Sequence, residues 1–227
     1  GELRVLAGWS GWGALPEMFE EPPRPEWMAL AARLRSALSD DEWRAARAST
    51  PNAHYTSTAV AAAVWESVVA LGFERGRVLE PGCGSGNFIG LVPQDREVEL
   101  VGVEKDPTTA RIAALLYPDA AITAAPFEKA HFDDATFDLV IGNVPFANVT
   151  PHDPVHNRNG WSLHNYFIAK STALVRPGGL IAAVTSRYTL DAADPAFRVW
   201  LAERMDLLGA VRLPGTAFKA VAGTNAI

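Results

Sequence analysis

"LEPGCGSGNF", residues 79–88, is the stretch on which the fold turns. The short apolar run "RVLE" (77–80) leads into it, and Gly82, Gly84 and Gly86 then recur at alternate positions. Glycines let a backbone turn tightly and bring its N–H groups against a ligand with no Cβ in the way. A strand that ends in such a loop predicts a nucleotide-type pocket at the strand's carboxyl end. The loop lacks the Lys-Ser/Thr of a phosphate-binding P-loop, and it reads G-x-G-x-G rather than the G-x-G-x-x-G of dinucleotide folds. Glu80, just ahead of the glycines, disfavours a pyrophosphate because anion would face anion. A cationic ligand with an amino-acid tail fits better.

Working outward, short β-branched runs alternate with helical segments. "TSTAVAAAVWESVVALG" (56–72) predicts a helix with Gly72 as its C-cap. "EVELVGVE" (97–104) is a second strand, "PTTARIAALLY" (107–117) a helix and "AAIT" (120–123) a third strand. "TFDLVIGN" (136–143) is a fourth strand. "SLHNYFIAKSTALVR" (162–176) is a helix closed by Pro177-Gly178-Gly179, ahead of the strand "LIAAVTS" (180–186). A helix near 195–205 and a strand "LLGAVRLP" (207–214) follow. The pattern predicts an α/β fold, a mostly parallel twisted sheet with helices on both faces. Ligands of such sheets sit at the carboxyl ends of the strands.

Residues 1–52 read differently, as an N-terminal arm rich in Trp and Pro, and 53–227 as the main domain. The arm holds "GWSGWGALP", a Pro-rich turn and helices near 26–38 and 40–48. Ser39 and Glu42 form a capping box for the second helix. Trp9, Trp12, Trp27 and Trp43 either glue this arm to the body or form a binding surface, and the packing power of large aromatics favours glue.

The chain has 227 residues, a net charge of −6, 48% hydrophobic and 20% charged residues. This suits one sizeable core plus an appendage and excludes disorder. No apolar stretch is long enough to span a bilayer, so no membrane partner is expected. A single cysteine, Cys83, cannot pair internally, and the simple reading is a reducing cytoplasm. Mild acidity argues against a free-standing basic nucleic-acid binder, though not against a local groove. A start at Gly1 without methionine and a stop at Ile227 predict a piece of something longer.

Two further strand ends carry chemistry. Glu104 closes the second strand, about twenty residues past the glycines, where an acid can accept both hydroxyls of a ribose. The fourth strand ends in Asn143, Val144, Pro145 and Phe146. This set suits methylation of an exocyclic amine, a poor nucleophile because its lone pair is delocalised into the ring. The Asn143 side-chain oxygen and the carbonyl of Val144 would hold the two amine hydrogens and localise that lone pair. Phe146 would stack on the base, which must leave its duplex first. Catalysis would then rest on positioning and electrostatics.

Taken together, "LEPGCGSGNF" and "NVPF" resemble the cofactor loop and the N-P-P-F/Y motif of S-adenosyl-L-methionine-dependent DNA adenine-N6 methyltransferases, in which the cofactor motif comes first. "HYTS" (54–57) is similar to the segment that closes over the methionine end. "AFKAVAGTNAI" (217–227) is similar to the late antiparallel hairpin around the target base, here truncated. "GWSGWGALP", "ASTPNAHYTS" and "HNYFIAKS…RPGGLIAAVTSRYTLD" resemble more closely the methylase portion of very large helicase–methyltransferase proteins of phages and mobile elements, antirestriction proteins among them. The resemblance implies a Rossmann-like methyltransferase fold, S-adenosyl-L-methionine as cofactor and an adenine in DNA as target. It also implies linked helicase and target-recognition regions beyond these residues. It carries cofactor contacts onto His54, Tyr55 and Thr56, onto Glu80, Pro81, Gly82, Cys83, Gly84, Gly86, Asn87 and Phe88, onto Glu104 and Lys105, and onto Phe127 and Asn143. Catalysis falls to Asn143, Val144, Pro145 and Phe146. Val144 departs from the family's first proline; Pro145 still biases residue 144 to an extended conformation.

Other readings stay open. The amine could belong to an RNA base or a protein glutamine, or the domain could bind cofactor without turnover. Phe127 is equally readable as a core aromatic, and His54 and Tyr55 as helix-entry packing. His152, His156 and Arg158, in "ANVTPHDPVHNRNGW" (147–161), point to a wall beside the target base or a phosphate contact rather than a metal, since no ligand set is completed. Asp138 is expected to support its strand.

Overall fold

The computed structural model describes residues 2–7, 9, 11–50, 56–214 and 217. Five strands form one parallel sheet: β1 (Gly76–Pro81), β2 (Val98–Glu104), β3 (Ala121–Ala124), β4 (Phe137–Asn143) and β5 (Val175–Val184). Their spatial order is β3-β2-β1-β4-β5. The helices are α1 (Glu2–Ala7), α2 (Met28–Ala37), α3 (Asp40–Ser49), α4 (Thr58–Ala70), α5 (Pro107–Leu116), α6 (Leu163–Leu174), α7 (Tyr188–Asp191) and α8 (Ala196–Ala202). This is a Rossmann-like sheet with helices on both faces.

Strand periodicity separates two cores. Leu79 and Val140 face Tyr166, Phe167 and Leu174 of α6. Val78, Leu139 and Ile141 face the other way, onto Ala61, Trp65 and Val68 of α4. Both sides of the central strands are thus covered, as an all-parallel sheet requires.

Local chemistry sets the helix ends. Ser57 accepts from the Val60 amide to start α4. Asp106 does the same for α5 through the Thr109 amide at 2.9 Å, with Pro107 in the first turn. The Ser39–Glu42 capping box forms with both of its reciprocal bonds. Beyond α4, Gly72 takes φ +100°, the left-handed geometry expected of its C-cap.

Three sequence expectations meet a different outcome. Pro177-Gly178-Gly179 does not stand apart from the strand, because β5 begins at Val175 and bulges there between the pairs Phe137–Val175 and Leu139–Leu180. A Cβ on Gly179 would lie 2.8 Å from the Asp138 carbonyl, so the bulge needs glycine. Residues 207–214 form no strand, and Leu207, Leu208 and Val211 are exposed. A strand exists only through a ladder partner, and among the described residues the sheet ends at β5. The segment Tyr188–Asp191, not read as helix from sequence, forms the short α7. The expected hairpin at 217–227 lies outside the described residues apart from Ala217, as do His54 and Tyr55.

The arm builds its own small core from Trp12, Met18, Phe19 and Ala46, flanked by Trp9, Trp27 and Trp43. Trp9 meets Trp12 edge-on at 4.6 Å, and Phe19 tilts against Trp43 at 4.8 Å. Two indole N–H groups reach the main domain: Trp12 Nε1 donates to Asp106 and Trp9 Nε1 to Thr109. Trp9 and Trp12 therefore act as glue to the main domain, while Trp27 and Trp43 pack within the arm's own core.

Candidate active site

Strand order reverses between β1 and β4, and the crevice outside their carboxyl ends is where such sheets take ligands. The glycine loop leaves β1 at that crevice and the Asn143–Phe146 turn leaves β4 beside it. The two lie close: a Cβ placed on Gly82 would lie 3.7 Å from Pro145 Cδ and 3.5 Å from the Phe167 ring. Gly82, Gly84 and Gly86 take φ of +68°, +55° and +87°, where a side chain is strained.

Glu104 ends β2 against this loop. Its Oε2 accepts from the Gly84 amide at 2.9 Å and its Oε1 from the Asp106 amide at 2.8 Å. The carboxylate is thus aimed by two backbone donors, and each oxygen keeps a lone pair for a ligand hydroxyl. Burial pushes its pKa up, against the pull of those two amides.

Glu80 lies differently from its sequence reading. It is buried, and Oε2 accepts from the Ile89 amide at 3.1 Å beneath the loop. The donors that open the short 3-10 turn at Ile89–Leu91 need an acceptor, and Glu80 supplies it in place of facing a cationic tail. Burial drives its pKa well above the ordinary carboxylate value. Phe88 also departs from the cleft: its ring packs with Trp65 and Leu139, and its carbonyl accepts from Trp65 Nε1 at 2.8 Å. Cys83 turns its thiol into the protein beside Gly102, while its amide extends the β1–β2 ladder to the Val103 carbonyl. What Cys83 offers the crevice is backbone.

Asn87 donates to the Thr56 carbonyl at 2.9 Å, which ties the loop to the buried segment ahead of α4. Pro81 is the last residue of β1, and Lys105 is exposed beyond Glu104. Phe127 is 3% exposed, its ring 4.8 Å from Phe167, so it forms the floor beneath the crevice as a core aromatic.

On the other wall, Asn143 is half-buried at the end of β4, opposite Val184 of β5. Val144 is buried, and its amide donates to the Val184 carbonyl at 3.0 Å. A proline at 144 would lack that donor. Valine therefore exchanges ring rigidity for a ladder bond that carries β4–β5 pairing into the motif. Phe146 is half-buried against the α6-side core.

The loop after the motif is internally pinned. Asn157 donates to the carbonyls of Pro151 and Trp161 and accepts from the Trp161 amide. Asp153 accepts from the Val155 and His156 amides, from the Tyr166 hydroxyl at 2.8 Å and from His156 Nδ1 at 3.2 Å when that nitrogen carries the proton. Burial alone would raise Asp153, but the bonds from His156, Tyr166 and Val155 outweigh it and hold it at about 2. Lys170 Nζ sits 3.7 Å from the same carboxylate and donates to the carbonyls of Phe127 and Ala130. His152 and Arg158 are exposed on this loop. Sequence reading singled out its histidines and missed Asp153 and Lys170. The one local signal was the D-P-x-H spacing, an N-cap-like turn with proline behind it. Far from the crevice, Asp138 braces the start of β4 by accepting from the Arg77 amide at 2.7 Å and pairing with Arg176.

Residues 79–183 match the family model described as "Methyltransferase domain". The chain is 28% identical over 173 residues to "Defense against restriction protein B" of Escherichia phage P1, covering 74% of this chain and 8% of that protein. It is 25% identical over 205 residues to "Type II methyltransferase M.BanIII" of Aneurinibacillus aneurinilyticus, covering 72% of this chain and 35% of that one. The chain thus spans about a third or less of the curated relatives it matches. Among solved structures, a Listeria monocytogenes protein assigned to the class I S-adenosylmethionine-dependent methyltransferases superposes with a TM-score of 0.60 at 18% identity, covering 93% of this chain and 76% of that one.

The fold is that of class I methyltransferases, and together with the family match it implies S-adenosylmethionine as the cofactor. The residues present suit that group. Glycines with positive φ leave a backbone surface without Cβ atoms, and Glu104 is an oriented carboxylate for ribose hydroxyls.

Proposed function

We propose that this chain, a methyltransferase domain of the S-adenosylmethionine-dependent class, methylates the N6 amine of an adenine flipped out of DNA. The observation that carries the reading is the close approach of Pro145 to Gly82, where an added Cβ would already be in van der Waals contact, so that the Asn143 turn lies beside the glycine loop. Bound S-adenosylmethionine supplies a methyl group on a positively charged sulfur. The chain's part is to hold and aim. Glu104 takes the ribose hydroxyls, and the Gly82–Gly86 backbone lies along the remainder. Asn143 Oδ1 and the Val144 carbonyl accept the two amine hydrogens and draw the nitrogen lone pair out of the ring. Positive charge developing on that nitrogen then faces two carbonyl oxygens already in place, so little reorganisation is needed, and once the methyl–sulfur bond has broken the nitrogen releases one of its two protons to solvent. Phe146 offers a ring face to the base, a contact worth about 1–3 kcal/mol in single-stranded recognition.

DNA is favoured as target by the N-x-P-F turn and by the names of the two relatives, one a type II methyltransferase and one concerned with defence against restriction. The whole protein would join this domain to helicase and target-recognition regions and act in the cytoplasm. The test is mass spectrometry of nucleosides from unmethylated DNA incubated with the protein and labelled cofactor. N6-methyladenine carrying the label is expected. Label on cytosine, on RNA alone or on protein glutamine would move the reading to another planar amine. Cofactor binding with no transfer to any of them would favour an inert module.

A further inference from the structure

The arm does more than pack. Trp12 Nε1 donates to Asp106 Oδ2 at 3.0 Å, and both residues are buried. The same oxygen accepts from the Thr109 amide at 2.9 Å and from Thr109 Oγ1 at 2.6 Å. Thr109 Oγ1 in turn accepts from Trp9 Nε1 at 3.1 Å. Two indoles of the arm therefore clamp the residue that caps α5. The backbone amide of that residue, Asp106, is what orients Glu104 Oε1, and Glu104 Oε2 reaches across to Gly84. Two sets of hydrogen bonds, joined through the covalent frame of Asp106, thus run from the arm through the turn after β2 to Glu104 and the glycine loop.

From this line we propose that Trp12 is a positioning residue for cofactor binding, coupling arm docking to the orientation of Glu104. The proposal rests on the assignment of Glu104 to the ribose. With Trp12 docked, Asp106 Oδ2 is fixed by the indole and by Thr109, and the Asp106 amide is left for Glu104. With Trp12 gone, Asp106 Oδ2 keeps only its two Thr109 donors, the turn is no longer tied to the arm, and the Glu104–Gly84 bridge loosens. Coupling of this kind between two sites runs from about fivefold to about 150-fold in affinity.

The test is calorimetry of S-adenosylmethionine binding to the whole chain and to three variants. Trp12→Phe keeps most of the ring and removes the donor, and is expected to weaken binding at least fivefold. Glu104→Ala reports whether the carboxylate contacts the cofactor at all. Trp43→Phe disturbs the arm's own core away from Asp106 and is expected to lower arm stability without moving affinity. If wild type and Trp12→Phe bind within twofold of each other while Glu104→Ala loses binding, the coupling is refuted and the cofactor reading stands. If Glu104→Ala binds like wild type, or wild type does not bind, both fall. If Trp43→Phe weakens binding as much as Trp12→Phe, the effect is general loosening and the positioning role is refuted. A readout free of variants uses reciprocity: hydrogen exchange at the Trp12 indole of wild type must slow when cofactor is added. An unchanged rate, with cofactor shown to be bound, also overturns the proposal.

Discussion

Replacing Asp153 by asparagine removes a charge that several buried groups depend on. The carboxylate is 6% exposed, accepts from two amides and the Tyr166 hydroxyl, and is the nearest carboxylate to the buried Lys170. Its pKa is held at about 2 against an ordinary 3.8. At about 1.4 kcal/mol per unit that difference contributes about 2 kcal/mol of stability at neutral pH. Asparagine keeps one oxygen for the loop amides but presents an NH₂ group to Lys170, so the loss is expected at about 2–3 kcal/mol. For a chain of this length that is a fall in melting temperature of about 5–10 °C. Urea unfolding followed by tryptophan fluorescence at pH 7 measures it. The sign with pH is also fixed. A depressed carboxylate stabilises above its unfolded value, and the contribution is lost as pH falls from 3.8 through about 2. The gap between wild type and Asp153→Asn must therefore narrow across that window. Equal stability at pH 7, or a gap constant down to pH 2, would refute the argument.

Asn143→Ala should abolish methyl transfer while leaving calorimetric affinity for cofactor nearly intact, since only the amine loses an acceptor; parallel losses would count against the assignment. Val144→Pro, although it restores the commoner family residue, should destabilise by about 1–3 kcal/mol in chemical denaturation, because the bond to the Val184 carbonyl goes and that acceptor is left buried. Glu80→Gln keeps an oxygen for the Ile89 amide and removes a carboxylate that burial raises above its ordinary 4.5. A raised carboxylate loses stability as pH climbs from 4.5 through its folded value, so wild type should fall behind Glu80→Gln over that rise. Melting curves that run parallel with pH would show that Glu80 ionises without penalty.

The sheet was legible because its signals are local. Apolar runs of strand length ended on Glu80, Glu104 and Asn143, and caps such as Ser39 and Gly72 announced themselves within a turn. Side-chain direction was less legible. Glu80 and Phe88 belong to the loop motif by position, yet donors left at the short turn drew one inward and the room beside Trp65 took the other. Longer range hid more. Asp153, Tyr166 and Lys170 meet only after β4, the loop and α6 have folded together, and no spacing encodes that meeting. Nor does sequence say that Trp12 will find Asp106, 94 residues away. The run at 207–214 misled for the opposite reason, since its composition is that of a strand while no described strand lies beyond β5 to pair with it.

The bridges of Asn157 across its loop bear on how a target would be met. Conformational freedom there is surrendered when the protein folds, at about 1–2 kcal/mol per residue, and is not charged again at each encounter. On the proposed function, a substrate captured beside Phe146 would meet a preformed wall, with a small heat-capacity change and an association rate not limited by closure of this loop.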